Sequence, residues 1–283
     1  MKTIAVVGAG TMGSGIVQTF AEKGFDVLVF ESYDPVREAA EQNIGNFIRK
    51  RADKGKVTAE EAEASIQRIK WRHDLHDLRE ADFVIEAIIE KVGAKIEVFR
   101  QLDEITKPST ILATNTSSIS ITKIAAATSK ADRCIGMHFM NPVPLMPLVE
   151  VIRGHVTSDE TYQITEALAK ALGKTPVEAN DYPGFISNRV LLPMINEAIY
   201  ALWEGVGTRE AIDQVLKLGM NHPMGPLELA DFIGLDVCLA ILNVLHEGFS
   251  DSKYRACPLL KKMVEAGYLG RKSGKGFYDY PGK

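Results

Sequence analysis

Short apolar runs alternate with longer amphipathic stretches through the first two thirds of the chain. Residues 3–7, 26–30, 83–86, 110–114, 134–138 and 148–152 are compact runs rich in Val, Ile and Leu and read as strands. Between them, residues 14–23, 36–52, 91–105 and 121–127 place apolar side chains at helical spacing. Thr58 and Glu61 have the spacing of a capping box, which starts a further helix over 59–69. Together with 36–52 it predicts a helical hairpin inserted between strands. Strands separated by helices predict a mostly parallel sheet covered on both faces. A helix over 159–172 and a strand over 175–178 close this region. Beyond Asp181-Tyr-Pro-Gly184 the β signals fade, and 185–203, 209–218, 226–247 and 258–266 read as helices. The boundary falls near 183, giving domains 1–183 and 184–283. Residues 185–203 are apolar nearly all round, which predicts a buried central helix.

The first strand runs straight into Gly8-Ala9-Gly10-Thr11-Met12-Gly13, and the second apolar run ends at Glu31. In such a strand–turn–helix, Gly8 permits the tight turn and Gly10 admits a pyrophosphate to the backbone. Gly13 lets the helix pack on the sheet, and the helix N-terminus, with Thr11 and Met12 in its first turn, faces the phosphates. Glu31 is placed to accept from ribose hydroxyls and to repel a 2′-phosphate, so NAD is favoured over NADP. Arg37 lies within reach of the same end, and an arginine there can accommodate a 2′-phosphate. The expected fold is α/β: a Rossmann-type domain with an inserted helical hairpin, then an all-helical C-terminal domain.

Composition narrows the partners. The chain has 283 residues, 46% hydrophobic and 25% charged, and a net charge of −4, so it is an ordinary globular protein without a basic surplus for nucleic acid. Cys134, Cys238 and Cys257 are widely spaced, which suits a reducing compartment and neither disulfides nor zinc. No apolar stretch approaches the roughly 20 residues that cross a bilayer. With the first strand starting at residue 3 there is no room for a leader, so no membrane association and a cytoplasmic location are expected.

Among six histidines, His138 stands out because it closes an apolar strand, on the side where ligands bind in open α/β sheets. A nicotinamide enzyme needs such a group to move a hydroxyl proton, although a structural histidine would read the same way. Glu150 lies in the apolar run Pro147-Leu-Val-Glu-Val-Ile152, where a carboxylate is costly unless paired. It either orients His138 or lies on the solvent face of an edge strand. Thr114-Asn-Thr-Ser-Ser118 offers hydroxyl donors, or simply caps the next helix. Asn188, early in an apolar helix, needs a partner in the core or at a cleft.

Taken together, Gly-Ala-Gly-Thr-Met-Gly, Asn115-Thr-Ser-Ser118, Gly136-Met-His-Phe-Met-Asn-Pro142, Leu148-Val-Glu-Val151 and Pro183-Gly-Phe-Ile-Ser-Asn-Arg189 resemble the L-3-hydroxyacyl-CoA dehydrogenases. The bacterial 3-hydroxybutyryl-CoA dehydrogenases look nearest, and the resemblance continues through Asn221–Leu227 to Arg271–Tyr278. It implies reversible oxidation of (S)-3-hydroxyacyl-CoA to 3-oxoacyl-CoA with NAD, as in fatty-acid or butanoate metabolism. It carries the catalytic base onto His138, the orienting acid onto Glu150, and the polar substrate contacts onto Ser117 and Asn188. It adds Glu90, Lys95, Asn115, Asn141 and Lys272 as cofactor contacts; spacing alone makes Glu90 and Lys95 a solvated helix pair. It also places CoA on the hairpin, where the run Arg49, Lys50, Arg51, Lys54 and Lys56 offers Lys50 and Lys54 as phosphate contacts. A homodimer formed through the helical domain is implied too. Met194, Met220, Met224 and Leu227 are acyl-pocket or core residues. A dehydrogenase of the 3-hydroxyisobutyrate type would need a lysine on the interdomain helix, and 183–203 contains none. A non-catalytic NAD-binding protein would have no use for the His138, Glu150, Ser117 and Asn188 set.

Overall fold

Eight strands form one sheet in the computed structural model of the chain, which describes residues 3–281. They are β1 (Thr3–Val7), β2 (Asp26–Phe30), β3 (Ile69–Arg72), β4 (Phe83–Glu86), β5 (Ile111–Thr114), β6 (Cys134–Phe139), β7 (Leu148–Arg153) and β8 (Thr175–Asn180). Their order across the sheet is β3-β2-β1-β4-β5-β6-β7-β8. Every neighbouring pair is parallel except β6 and β7. The first six strands thus have the doubly wound order of a dinucleotide-binding sheet, with its switch point between β1 and β4.

Alternation along β1 shows how the sheet acquires two cores. Ile4 and Val6 pack on one face with Ile16, Phe20, Val27 and Ile44. Ala5 and Val7 pack on the other with Val84, Phe99, Leu102 and Leu112. Helices α1 (Thr11–Glu22), α2 (Asp34–Asp53) and α3 (Ala59–Gln67) cover the first face, and α4 (Val92–Ile105) and α5 (Ile121–Ala125) the second. Helix α6 (Asp159–Ala171) adds Leu168 and Ala169 to the first core. The capping box at Thr58 and Glu61 is present in both directions. The helix it starts stops earlier than its pattern suggests, because Ile69 leaves it to pair with Val27 as the first residue of β3.

The chain divides into two compact units, one ending at Tyr182 and one starting at Pro183. The second is built from α7 (Ser187–Trp203), α8 (Arg209–Gln214), α9 (Pro226–Ile233), α10 (Leu235–Phe249) and α11 (Pro258–Glu265), around Leu192, Ile195, Leu227, Leu242 and Leu260. Three expectations need correction here. Helix α7 starts at Ser187 and buries one face only; Val190 is 67% exposed. After Gln214 the chain relaxes into a π-helical turn over Val215–Gly219. The apolar stretch 226–247 is two helices, because Gly234 at φ 106° breaks it and the segments meet at 98°. Among the described residues, no single helix is long and apolar enough to cross a membrane. The C-terminal tail is tied down by Asp231, whose carboxylate accepts from the Phe277 and Tyr278 amides and the Tyr280 hydroxyl.

Candidate active site

The glycines after β1 answer to different constraints. Gly8 has φ 97°, and a Cβ there would lie 2.7 Å from the Ala87 carbonyl oxygen on the β4 side. A Cβ on Gly13 would come within 1.9 Å of the Gly8 oxygen, so both are required by the protein's own packing. Gly10 is different: a Cβ there would meet nothing within 4 Å. Internal packing does not demand a glycine at that point, whereas a ligand approaching the backbone does. Gly10 also starts α1 without a side-chain cap, which leaves the first-turn amides of Thr11, Met12 and Gly13 facing that space. Glu31, at the end of β2, accepts from Ala9 N at 2.8 Å and from Tyr33 N at 3.0 Å, so its carboxylate is fixed beside the loop. The open cradle, the helix N-terminus and the fixed acid suit a dinucleotide with unmodified ribose.

Across the switch point lies a buried charge cluster. Glu86 ends β4 with no exposed surface, and Lys95 on α4 is 1% exposed. The Lys95 ammonium lies 2.7 Å from Glu86 and 3.4 Å from Glu90. Glu86 also accepts from the Thr114 hydroxyl and the Ile88 amide, each at 2.7 Å. Glu90 accepts from the Thr116 hydroxyl at 2.6 Å, the Ser117 amide at 2.9 Å and the Ser117 hydroxyl at 3.2 Å. Burial pushes the Glu86 carboxyl above the ordinary carboxylate range despite Lys95. For Glu90, burial acts upward too, but the Lys95 charge and the Thr116 and Ser117 hydrogen bonds bring it below that range. Lys95 is therefore internal, and Glu90, whose side chain is 39% exposed, links it to the Ser117 loop. Asn115 adds a tie to the neighbouring strand, accepting from Phe139 N at 2.9 Å.

His138 and Glu150 are register partners across the antiparallel β6–β7 pair. Residues directly opposite one another share a face of the sheet. That places His138 Nδ1 2.8 Å from Glu150 Oε2, with Glu150 only 2% exposed. Tethering Nδ1 to Glu150 fixes the orientation of the ring. The loop leaving β6 carries Asn141 along the wall of a cavity of about 970 Å³. Gly10, Thr11 and Ser14 line the same cavity, as do Phe47, Lys50, Arg51, Lys54 and Lys56 from the hairpin. Within the basic run, Arg49 is paired with Glu63 and Arg51 with Glu22. Lys50 and Lys54 form no ion pair among the described residues.

The first unit thus brings together the glycine loop, Glu31, Glu90, Lys95, Asn115, Ser117, His138, Asn141, Glu150, Lys50 and Lys54. Asn188 and Lys272 belong to the second unit. Asn188 is buried in the first turn of α7, and Lys272 is paired with Asp236 at 2.5 Å. Sequence reasoning passed over Glu86. Glu86 gives the signal that drew attention to Glu150, a carboxylate inside an apolar strand.

Family models for the 3-hydroxyacyl-CoA dehydrogenase NAD binding domain and C-terminal domain match residues 3–182 and 184–280. The chain belongs to the 3-hydroxyacyl-CoA dehydrogenase family. As a member of it, the protein is an NAD-dependent oxidoreductase. A probable 3-hydroxybutyryl-CoA dehydrogenase of Bacillus subtilis is 59% identical, covering 100% of this chain and 99% of that protein. A 3-hydroxybutyryl-CoA dehydrogenase of Bradyrhizobium diazoefficiens is 53% identical over 100% of this chain and 96% of its own. The crystal structure of (S)-3-hydroxybutyryl-CoA dehydrogenase from Ralstonia eutropha superposes with a TM-score of 0.97 at 48% identity, covering 100% of both chains.

Proposed function

We propose that this dehydrogenase interconverts (S)-3-hydroxybutyryl-CoA and acetoacetyl-CoA, with His138 as the proton-transferring group. The His138–Glu150 pair carries the reading: a fixed imidazole at the carboxyl end of β6, the side on which the glycine loop opens. In the oxidative direction, His138 Nε2 takes the C3 hydroxyl proton while the C3 carbonyl forms. Bound NAD supplies the acceptor for the C3 hydrogen, which leaves as hydride. Glu150 keeps the ring in the tautomer with the proton on Nδ1 and stabilises the imidazolium that results. Ser117 and Asn188 donate to the C3 oxygen and the thioester carbonyl, holding the substrate in the reactive geometry. Glu31, Glu90, Lys95, Asn115, Asn141 and Lys272 serve the dinucleotide, with Lys95 acting through Glu90. Lys50 and Lys54 bind the CoA phosphates. The physiological setting is the fatty-acid or butanoate metabolism of a cytoplasmic homodimer.

The reaction is followed by NADH absorbance with acetoacetyl-CoA. Replacing His138 with Ala should lower kcat by about 100- to 10,000-fold, the usual worth of a positioned acid–base group. A variant that kept the full rate would sink the mechanism.

A further inference from the structure

We infer that Asp34 is a second determinant of cofactor choice, because it holds Arg37 away from the position of an adenosine 2′-phosphate. The inference rests on the dinucleotide reading of the glycine loop. An enzyme that accepts a 2′-phosphate needs a cation beside that ribose, and Arg37, in the first turns of α2 after Glu31, is placed to provide one. Its guanidinium is already engaged. Arg37 Nε and Nη2 both donate to Asp34 Oδ1, at 3.2 and 2.7 Å, and Nη1 lies 3.4 Å from His73 Nε2. The Arg37 side chain is only 15% exposed, whereas Asp34 is 71% exposed. The arginine therefore lies against the protein, and the acid that holds it is the removable part.

Discrimination then has two layers with different physics. Glu31 repels a 2′-phosphate with a carboxylate fixed by two backbone amides. Asp34 neutralises Arg37, a cation that would reward it. A planar guanidinium satisfied by a carboxylate has to give up that pair before it can form charge-assisted bonds to phosphate. Removing Asp34 frees Arg37 and leaves the supports of the glycine loop in place. Lost negative charge would by itself favour the phosphorylated ligand slightly, so Glu38→Ala, which removes the same charge from an exposed neighbour and leaves the Arg37–Asp34 pair intact, is the control and should shift the 2′-phospho affinity by less than about twofold.

The probes are ADP-ribose and 2′-phospho-ADP-ribose, which differ only by the phosphate, and binding is measured by titration calorimetry without turnover. The unchanged protein should prefer ADP-ribose. Asp34→Ala should bind the 2′-phospho ligand about tenfold more tightly and shift ADP-ribose by less than about twofold, as expected for one freed charge-assisted contact. The gain should vanish in Asp34→Ala/Arg37→Gln. The inference is overturned if Asp34→Ala leaves the 2′-phospho affinity unchanged, or if the double variant retains the gain. Failure of the unchanged protein to bind ADP-ribose would overturn the dinucleotide reading itself and this inference with it.

Discussion

Lys95 shows how little spacing says about depth. Read with Glu90 as a solvated pair, it is among the most deeply buried side chains of the described residues. One ammonium serves two carboxylates, which also accept from hydroxyl and amide donors of the surrounding loops. Removing the cation leaves Glu86 and Glu90 uncompensated. Lys95→Met should therefore cost about 3–5 kcal/mol in urea unfolding, the usual penalty for breaking a buried pair from one side. A loss comparable with that of an exposed ion pair would contradict the cluster's role. The hairpin lysines are the opposite case. Lys50 and Lys54 are solvent-facing, so their reversal should spare stability and act on the substrate. Lys50→Glu/Lys54→Glu should raise KM for acetoacetyl-CoA at least about tenfold through lost phosphate contacts. A fall confined to kcat would refute the assignment.

Among the elements, the loop from β1 to α1 permits a clean separation of folding from binding. Gly13→Ala forces a Cβ against the Gly8 carbonyl and should cost several kcal/mol or abolish folding, whereas Gly10→Ala meets no atom of the protein. Gly10→Ala should stay within about 0.5 kcal/mol of the parent in thermal unfolding, as surface changes do, while weakening NADH binding measured by fluorescence titration. Equal damage by both would mean that Gly10 is structural. Most of the sheet was legible because its strands are short, continuous apolar runs bounded by turns. Strand β3, Ile-Lys-Trp-Arg, was not. Four alternating residues at a sheet edge resemble the end of a helix, and pairing with β2 decides otherwise. The break at Gly234 was hidden because apolar residues continue across it, and only its positive φ separates α9 from α10. His138 and Glu150 were legible as chemistry out of place in apolar strands. Glu86 gave the same signal and was missed because no function had been assigned to it.

For the molecule as a whole, each unit has its own apolar packing, two cores in the first and one in the second among the described residues, and its own buried protons. Burial raises the Cys134 thiol to about 11 in the first unit and Cys238 to about 12 in the second. Burial, followed by the hydrogen bond to Asp213, raises the Tyr278 phenol as well, and burial with the Asp231 charge takes Tyr280 to about 12. In each case the folded value exceeds the unfolded one. Above the unfolded values, about 8.5 for Cys and about 10 for Tyr, the unfolded chain releases protons that the native state retains. These groups contribute their full stability below that range and lose it as pH climbs toward the folded values. The urea midpoint should therefore fall steadily between about pH 8.5 and 11. A midpoint that held level or rose would contradict the assignment.

The reversal of β7 has a consequence for how this centre tolerates change. His138 and Glu150 are twelve residues apart along the chain, but they meet because they occupy the same rung of a two-strand ladder. The loop between the strands can lengthen or shorten without disturbing that rung. A one-residue slip inside either strand would turn one partner to the opposite face of the sheet. The acid–base unit is thus encoded as a frame rather than a distance. Indels in the loop are silent to it, and a single frameshift in the pairing would dismantle it while leaving every residue in place.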